Sequence, residues 1–254
     1  MFWVLFLVLA CGFAGVSCGR LCLAAARAAD AERLADSPHP RHELSLYETA
    51  FLAGGPARVA DVTLVSMARS SRLLLAHTGW ATVVDPVGDD DMERSVIGAI
   101  GPEGQAPIAP LRAATATGDA VRALAERLVA AGLAVPDSAR TTMAGAVRQV
   151  RAAAVAVVAL GAVAVLMPGQ PVEQELPVAL WFALPLLLTL GCLALARVEI
   201  HPYTRWAAPA GQRLLAALPP GTGSLLAVAV RGVRAVDDPT LRAAFAGGRS
   251  GTGR

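Results

Sequence analysis

The chain has 254 residues, a mean hydropathy of +0.52 and 55% hydrophobic residues, with only 17% charged. A soluble domain carries about 25% charged residues, so this composition excludes a protein dissolved in water along its whole length. All 22 basic residues are Arg, and neither Lys nor Asn occurs. With the abundance of Ala, that reads as a high-GC genome and not as a binding signature.

The net charge of +2 is unevenly spread. Residues 41–135 hold eight Arg against eleven acids, and residues 197–254 hold eight Arg against three. Cys11, Cys18, Cys22 and Cys192 all lie in or beside apolar segments. None has the paired spacing of a zinc site or a secreted disulfide framework, so they read as small packing residues.

The first apolar segment, Met1 to Ser17, carries no charge before Arg20. A cleaved signal begins with a basic n-region, which is missing here, so a retained anchor is the expectation. Cys18 after Gly15-Val16-Ser17, and Cys11 after Val8-Leu9-Ala10, resemble a lipoprotein box only in part.

Beyond a polar, Ala-rich stretch ending at Pro38-His39-Pro40, a small folded domain is expected. Ser45 and Glu48 have capping-box spacing and open a short helix that stops at Gly54-Gly55. Pro56 suits the first turn of a second helix, whose Val59, Val62, Leu64, Val65 and Met67 give a broad apolar face to about Ser70. Leu73–Leu75 and Trp80–Val84 flank His77-Thr78-Gly79 and read as a β-hairpin. A third helix is expected from Asp89-Asp90-Asp91 to about Ile100, and a fourth, capped by Asp119, to Gly132. The Pro-containing stretch 102–110 between them is assigned no element. Two helices, a hairpin and two helices suggest a compact α+β, winged-helix-like module.

The second apolar segment, Ala152 to Met167, covers about 24 Å at ~1.5 Å per residue, short of the ~30 Å hydrocarbon core. Starting at Val147, with Arg148 and Arg151 reaching to the headgroups, closes the gap; a buried soluble helix is the competing reading. The third segment, Leu176 to Ala196, is interrupted only by Pro177, Pro185 and Thr189 and reads as a span. Pro168-Gly169-Gln170-Pro171, with Glu173 and Glu175 following, joins the two as a hairpin. Arg clusters follow the first segment, precede the second and follow the third, so the positive-inside rule puts the N-terminus outside. Trp3, Trp181, Tyr203 and Trp206 sit near segment ends, where amphipathic rings favour the interface.

The expected plan is a mostly α membrane protein with three transmembrane helices and a small cytoplasmic domain. It runs as a transmembrane helix over 1–19, a linker over 20–40 and a cytoplasmic domain over 41–135. Transmembrane helices over 147–167 and 177–196 follow, joined by an extracellular loop at 168–176, with a basic cytoplasmic segment over 197–254.

From Leu44 through Tyr47, Gly54, Gly55, Pro56, Arg58 and Val59, the chain resembles an actinobacterial family of membrane proteins with no established activity. The likeness extends over about residues 40–247, including the apolar hairpin and Asp238-Pro239-Thr240-Leu241-Arg242-Ala243-Ala244-Phe245. Members often end in a Gly- and Cys-rich tail, whereas this sequence ends in Gly247-Gly248-Arg249-Ser250-Gly251-Thr252-Gly253-Arg254. The resemblance implies a bacterial plasma-membrane location and a structural role for the motif.

No catalytic, cofactor-binding or metal-ligating set emerges, and no cofactor is expected. Gly54-Gly55-Pro56-Ala57-Arg58 lacks the Lys-Ser/Thr of a phosphate loop and a preceding strand. Asp89, Asp90, Asp91 and Glu93 fit no calcium-loop template, and His39, His42, His77 and His201 have no metal-site spacing. Arg58, Arg69 and Arg72 on the would-be recognition helix are offset by Asp61 in an acidic region, which argues against nucleic acid. The expected partners are the lipid bilayer and a cytoplasmic protein, and the expected role is a membrane-tethered interaction or regulatory module. The alternative is a membrane-associated enzyme with its site between domain and bilayer. The C-terminal Arg205, Arg213, Arg231 and Arg234, beside Leu214-Leu215 and Leu225-Leu226, read as an ordinary cytoplasmic tail or as a lipid-surface segment.

Overall fold

The computed structural model describes residues 2–35, 43–166, 178–200, 204–218 and 224–247. It is mostly helical with a small three-stranded sheet. In chain order the elements begin with α1 (Phe2–Ala35), α2 (Leu46–Gly54), α3 (Pro56–Arg69), β1 (Leu73–Leu75) and β2 (Trp80–Val83). Then come α4 (Asp91–Ile100), β3 (Gln105–Pro107), α5 (Ile108–Ala116), α6 (Asp119–Ala130) and α7 (Asp137–Leu166). The chain continues with α8 (Val178–Ile200), α9 (Pro209–Ala216), α10 (Leu225–Arg231) and α11 (Pro239–Gly247). It divides into two compact units, one of residues 1–36 and 136–205, the other of residues 37–135 and 206–254.

In the first unit, α7 packs against both α1 and α8. Small side chains let the backbones approach: Ala10, Val157 and Ala164 meet Phe182, and a Cβ on Gly161 would lie 3.3 Å from the Phe182 ring. Further along, Leu21, Ala146 and Val150 pack with Cys192 and Leu193. Buried hydroxyls bond within their own helices, Ser17 to the Ala14 carbonyl and Thr189 to those of Pro185 and Leu186. The outer faces are apolar, exposing Val4, Leu5, Val8 and Phe13 on α1, Val155, Val158 and Val163 on α7, and Leu184, Leu187 and Leu188 on α8.

Two helices, Val4–Leu23 within α1 and Asp137–Leu166, are long and apolar enough to cross a membrane. The second apolar segment thus lies in a 30-residue helix of about 45 Å, because helical sequence continues on its N-terminal side back to Asp137. The third segment lies in α8, whose apolar stretch among the described residues is Leu180–Ala194. The linker expected at 20–40 is helical to Ala35, since an Ala-rich run without Gly or Pro after Gly19 propagates a helix readily. The loop 168–176, Tyr203, His39, His42 and His201 lie outside the described residues.

The second unit is built on α3, whose Val59 to Val65 and Met67 are all buried. Both capping-box bonds of Ser45 and Glu48 form at the start of α2. The hairpin pairs Leu73 with Val83 and Leu75 with Ala81, and β3 adds on the other side of β2 with Trp80 opposite Pro107. The stretch 102–110, given no element from the sequence, therefore carries a strand and the start of a helix. Pro107 sits at a strand end on an edge and Pro110 in the first turn of α5, both places where a missing N–H costs nothing.

The C-terminal segment is part of this core, not a separate tail. Ala207, Val228, Ala229, Val236, Ala244 and Phe245 are buried in the same cluster as Phe51, Leu52, Val62 and Leu64. Leu214, Leu215 and Leu225, for which an ordinary tail and a lipid-surface segment were both open, pack against it. The chain ends its first passage through this unit at Val135 and begins the second at Trp206, and these ends are bonded together. The Val135 N–H donates to the Trp206 carbonyl at 2.9 Å, the Ala208 N–H to the Leu133 carbonyl at 2.8 Å, and Ala134 bridges Ala207 antiparallel. Truncation after residue 205 strips apolar cover from α2 and α3. Such a chain is expected to lose its near-ultraviolet circular dichroism and its protease resistance over residues 43–135; an undisturbed, resistant fragment would contradict the shared core.

Candidate functional site

Of the motif Tyr47, Gly54, Gly55, Pro56, Arg58 and Val59, the last five form one corner of the second unit, where α2 turns into α3. The corner follows from local chemistry. Gly55 has φ 75° and ψ −165°, a region essentially closed to residues with a Cβ, and its N–H closes α2 on the Phe51 carbonyl at 2.7 Å. Pro56 then starts α3 with its φ already set, and the Arg58 and Val59 N–H groups turn back to the Gly55 carbonyl.

The corner receives the C-terminal segment. A Cβ on Gly55 would stand 2.0 Å from Cε2 of Trp206, so the indole lies directly on the glycine, and the same ring meets Phe51 edge-on at 5.7 Å. Trp206 was expected at a membrane interface; here its ring covers a helix corner. Arg58 reaches the last turn of α10, donating from Nη1 to the carbonyls of Val228 and Ala229 at 3.4 and 3.3 Å. Both carbonyls lie at the helix C-terminus, where a cation is also favoured by the dipole; that of Val228 also accepts the Gly232 N–H at 2.8 Å. Gly232 leaves room for it, because a Cβ there would lie 2.9 Å from the Arg58 Cζ. Burial lowers the pKa of the Arg58 guanidinium, Asp61 opposes that shift, and Arg112 adds to it. Asp61, itself buried, binds Arg112 Nε, and the Arg112 guanidinium lies 5.8 Å over the Phe245 ring of α11. Val59 is fully buried beneath these contacts.

Tyr47 works at the opposite end of α2. Its hydroxyl donates to Asp90 Oδ2 at 2.8 Å, while Asp90 Oδ1 caps α4 by accepting from the Glu93 N–H at 2.8 Å. Burial first, and the Asp90 carboxylate second, hold the Tyr47 phenol well above its ordinary pKa. The rest of the acidic run is equally committed: Asp89 and Glu93 both pair with Arg72, and Asp91 with Arg94. Among the described residues no three His, Cys, Asp or Glu side chains converge as a metal site would require. All four cysteines are free thiols.

The sequence picks out the motif's residues but not their partners. Trp206, Val228, Asp61, Arg112 and Phe245 complete the corner, and only the burial of Asp61 between Ala60 and Val62 on an apolar helix could have hinted at it. No family model, no curated protein and no solved structure matched the chain.

Two expectations follow. Gly55→Ala is expected to destabilise the second unit by about 2–4 kcal/mol, from the closed backbone region and the collision with Trp206. Pairing it with Trp206→Ala should restore part of that loss in a double-mutant cycle of chemical denaturation; simple additivity would show that the ring does not rest on Gly55. For Tyr47, a phenol with a raised folded pKa contributes fully below the unfolded value of about 10 and loses that contribution as pH rises above it. Wild-type stability should therefore fall between pH 10 and 12 more steeply than that of Tyr47→Phe, with other phenols and Arg residues common to both; parallel curves would remove Tyr47 from the account.

Proposed function

We propose that this chain is a multi-pass protein of a bacterial plasma membrane and acts as a membrane-tethered protein-interaction or regulatory module. The observation that carries the reading is the pairing of Leu133–Val135 with Trp206–Ala208. Everything from 136 to 205 leaves and re-enters the second unit at one place, which supports an even number of crossings by α7 and α8. The apolar outer faces of α1, α7 and α8 support lipid as their surroundings, because a soluble protein rarely exposes so continuous a surface. With Pro185 and Thr189 inside its apolar stretch and Arg197 beyond that stretch in its last turn, α8 is read as the third crossing. Arg20, Arg27, Arg148 and Arg197 then lie on the cytoplasmic side together with residues 43–135 and 206–247, and the N-terminus lies outside.

The motif's chemistry is spent inside the domain, which leaves the domain's surface to meet a cytoplasmic protein. The order α2, α3, β1, β2 supports a winged-helix-like description of the first half of the domain. The burial of α3 over Val59–Val65 argues against that helix entering a nucleic-acid groove. The resemblance to the actinobacterial membrane-protein family supports the same topology.

A cysteine at Val172, in a chain whose four native cysteines are replaced, tests the topology. A membrane-impermeant maleimide is expected to label it from outside intact cells, and labelling only after permeabilisation would overturn the scheme.

A further inference from the structure

We infer that the outer face of the β1–β2–β3 sheet is a docking surface for a basic, amphipathic segment of another protein. The inference rests on the interaction-module reading and names the chemistry of the partner. Residues paired across an antiparallel ladder project to the same side. The register places Leu74 beside Thr82, and Thr82 beside Gln105. Trp80 and Val84, two residues either way from Thr82 on its strand, share that side, while Leu73, Leu75 and Ala81 turn inward and are buried. A half-solvated antiparallel sheet ordinarily shows polar residues to water. This one shows Leu74 at 62%, Trp80 at 47% and Val84 at 62% exposure, and Val87 in the following loop at 66%.

The rim fixes the sign of the partner. Arg72, opposite Val84 and on the same side, donates to the Val87 carbonyl and Glu93 and pairs with Asp89, which holds the loop after β2 against this face. Residues 84–104 contain Asp85, Asp89, Asp90, Asp91, Glu93 and Glu103 against Arg94 and the neighbouring Arg72, which pair with Asp91 and with Asp89 and Glu93, and the border keeps a net charge of −4 with Asp85 and Glu103 outside those ion pairs. An apolar centre with an acidic border complements a segment carrying apolar anchors among Arg or Lys, and it repels an anionic lipid surface. The size fixes the form. Three strands ~4.8 Å apart, the longest of four residues, present a face of roughly 10 by 13 Å. That accommodates one helix or strand and falls far short of the ~800 Å² per partner of a stable globular interface or dimer.

The test uses the full chain in nanodiscs of phosphatidylcholine, with empty nanodiscs as the baseline. Two labelled sixteen-residue amphipathic peptides serve as probes, one of Leu and Arg and one of Leu and Glu. The Leu/Arg peptide is expected to bind, to weaken at least tenfold with Leu74→Ser/Val84→Ser, and to weaken several-fold with Asp85→Asn/Glu103→Gln or in 0.5 M salt. The Leu/Glu peptide is expected not to bind. Equal binding of both peptides, or indifference to both variant pairs, overturns the inference. So does quenching of Trp80 by brominated lipid, which would make the bilayer the occupant, or efficient disulfide formation between copies carrying Leu74→Cys, which would make it a second chain. The Val172 labelling result is independent: correct topology with no peptide binding removes the partner chemistry alone.

Discussion

The second unit depends on a backbone contact between segments far apart in the chain. Leu133–Val135 and Trp206–Ala208 pair antiparallel, and around that pairing the C-terminal helices close over α2 and α3. The cost of the contact is loop-closure entropy, which grows only slowly with loop length. It is offset by the burial of Trp206 against Gly55, of Val228 and Ala229 under Arg58, and of Phe245 near Arg112. Close approach makes these contacts possible: Gly211 also sits where a Cβ would stand 2.3 Å from the Leu133 carbonyl. Without that approach the two passages of chain would not share one core.

The polar groups of the domain serve the same closure. Arg58 donates to two carbonyls in the last turn of α10, and buried Asp61 beside it pairs with the partly exposed Arg112. An apolar replacement could fill that volume, but a guanidinium also fixes where α10 must end, since its donors need two particular acceptors. Asp90 does a similar double duty, capping α4 and receiving the Tyr47 hydroxyl, so that the start of α2 and the start of α4 share one carboxylate.

Local signals in the sequence were enough for much of this. Ser45 with Glu48, Gly54-Gly55 followed by Pro56, the turn at His77–Gly79 and the spacing of Val121, Leu124 and Leu128 each specify an element through neighbours a few residues away, and those elements form where expected. Two kinds of feature were not legible. Strand β3 and helix α5 lie in a Pro-rich stretch whose prolines happen to occupy the positions that tolerate them. The docking of 206–247 rests on contacts such as Gly55 with Trp206, which leave no periodicity and no spacing behind. Positive charge beside leucines in that region looked like a membrane pattern because an amphipathic helix has the same period whether its apolar face meets lipid or a protein core.

The split of the domain across residues 136–205 has a consequence for biosynthesis. A ribosome delivers residues 43–135 first, and these cannot finish folding until the chain from Trp206 onward has emerged, after α7 and α8 have been made. During that interval the corner at Gly55 and the apolar faces of α2 and α3 wait uncovered, a state in which chains aggregate or recruit chaperones. Completion of the domain is thereby timed by delivery of the helical pair between its halves, so a chain that has closed the corner has also finished synthesising that pair.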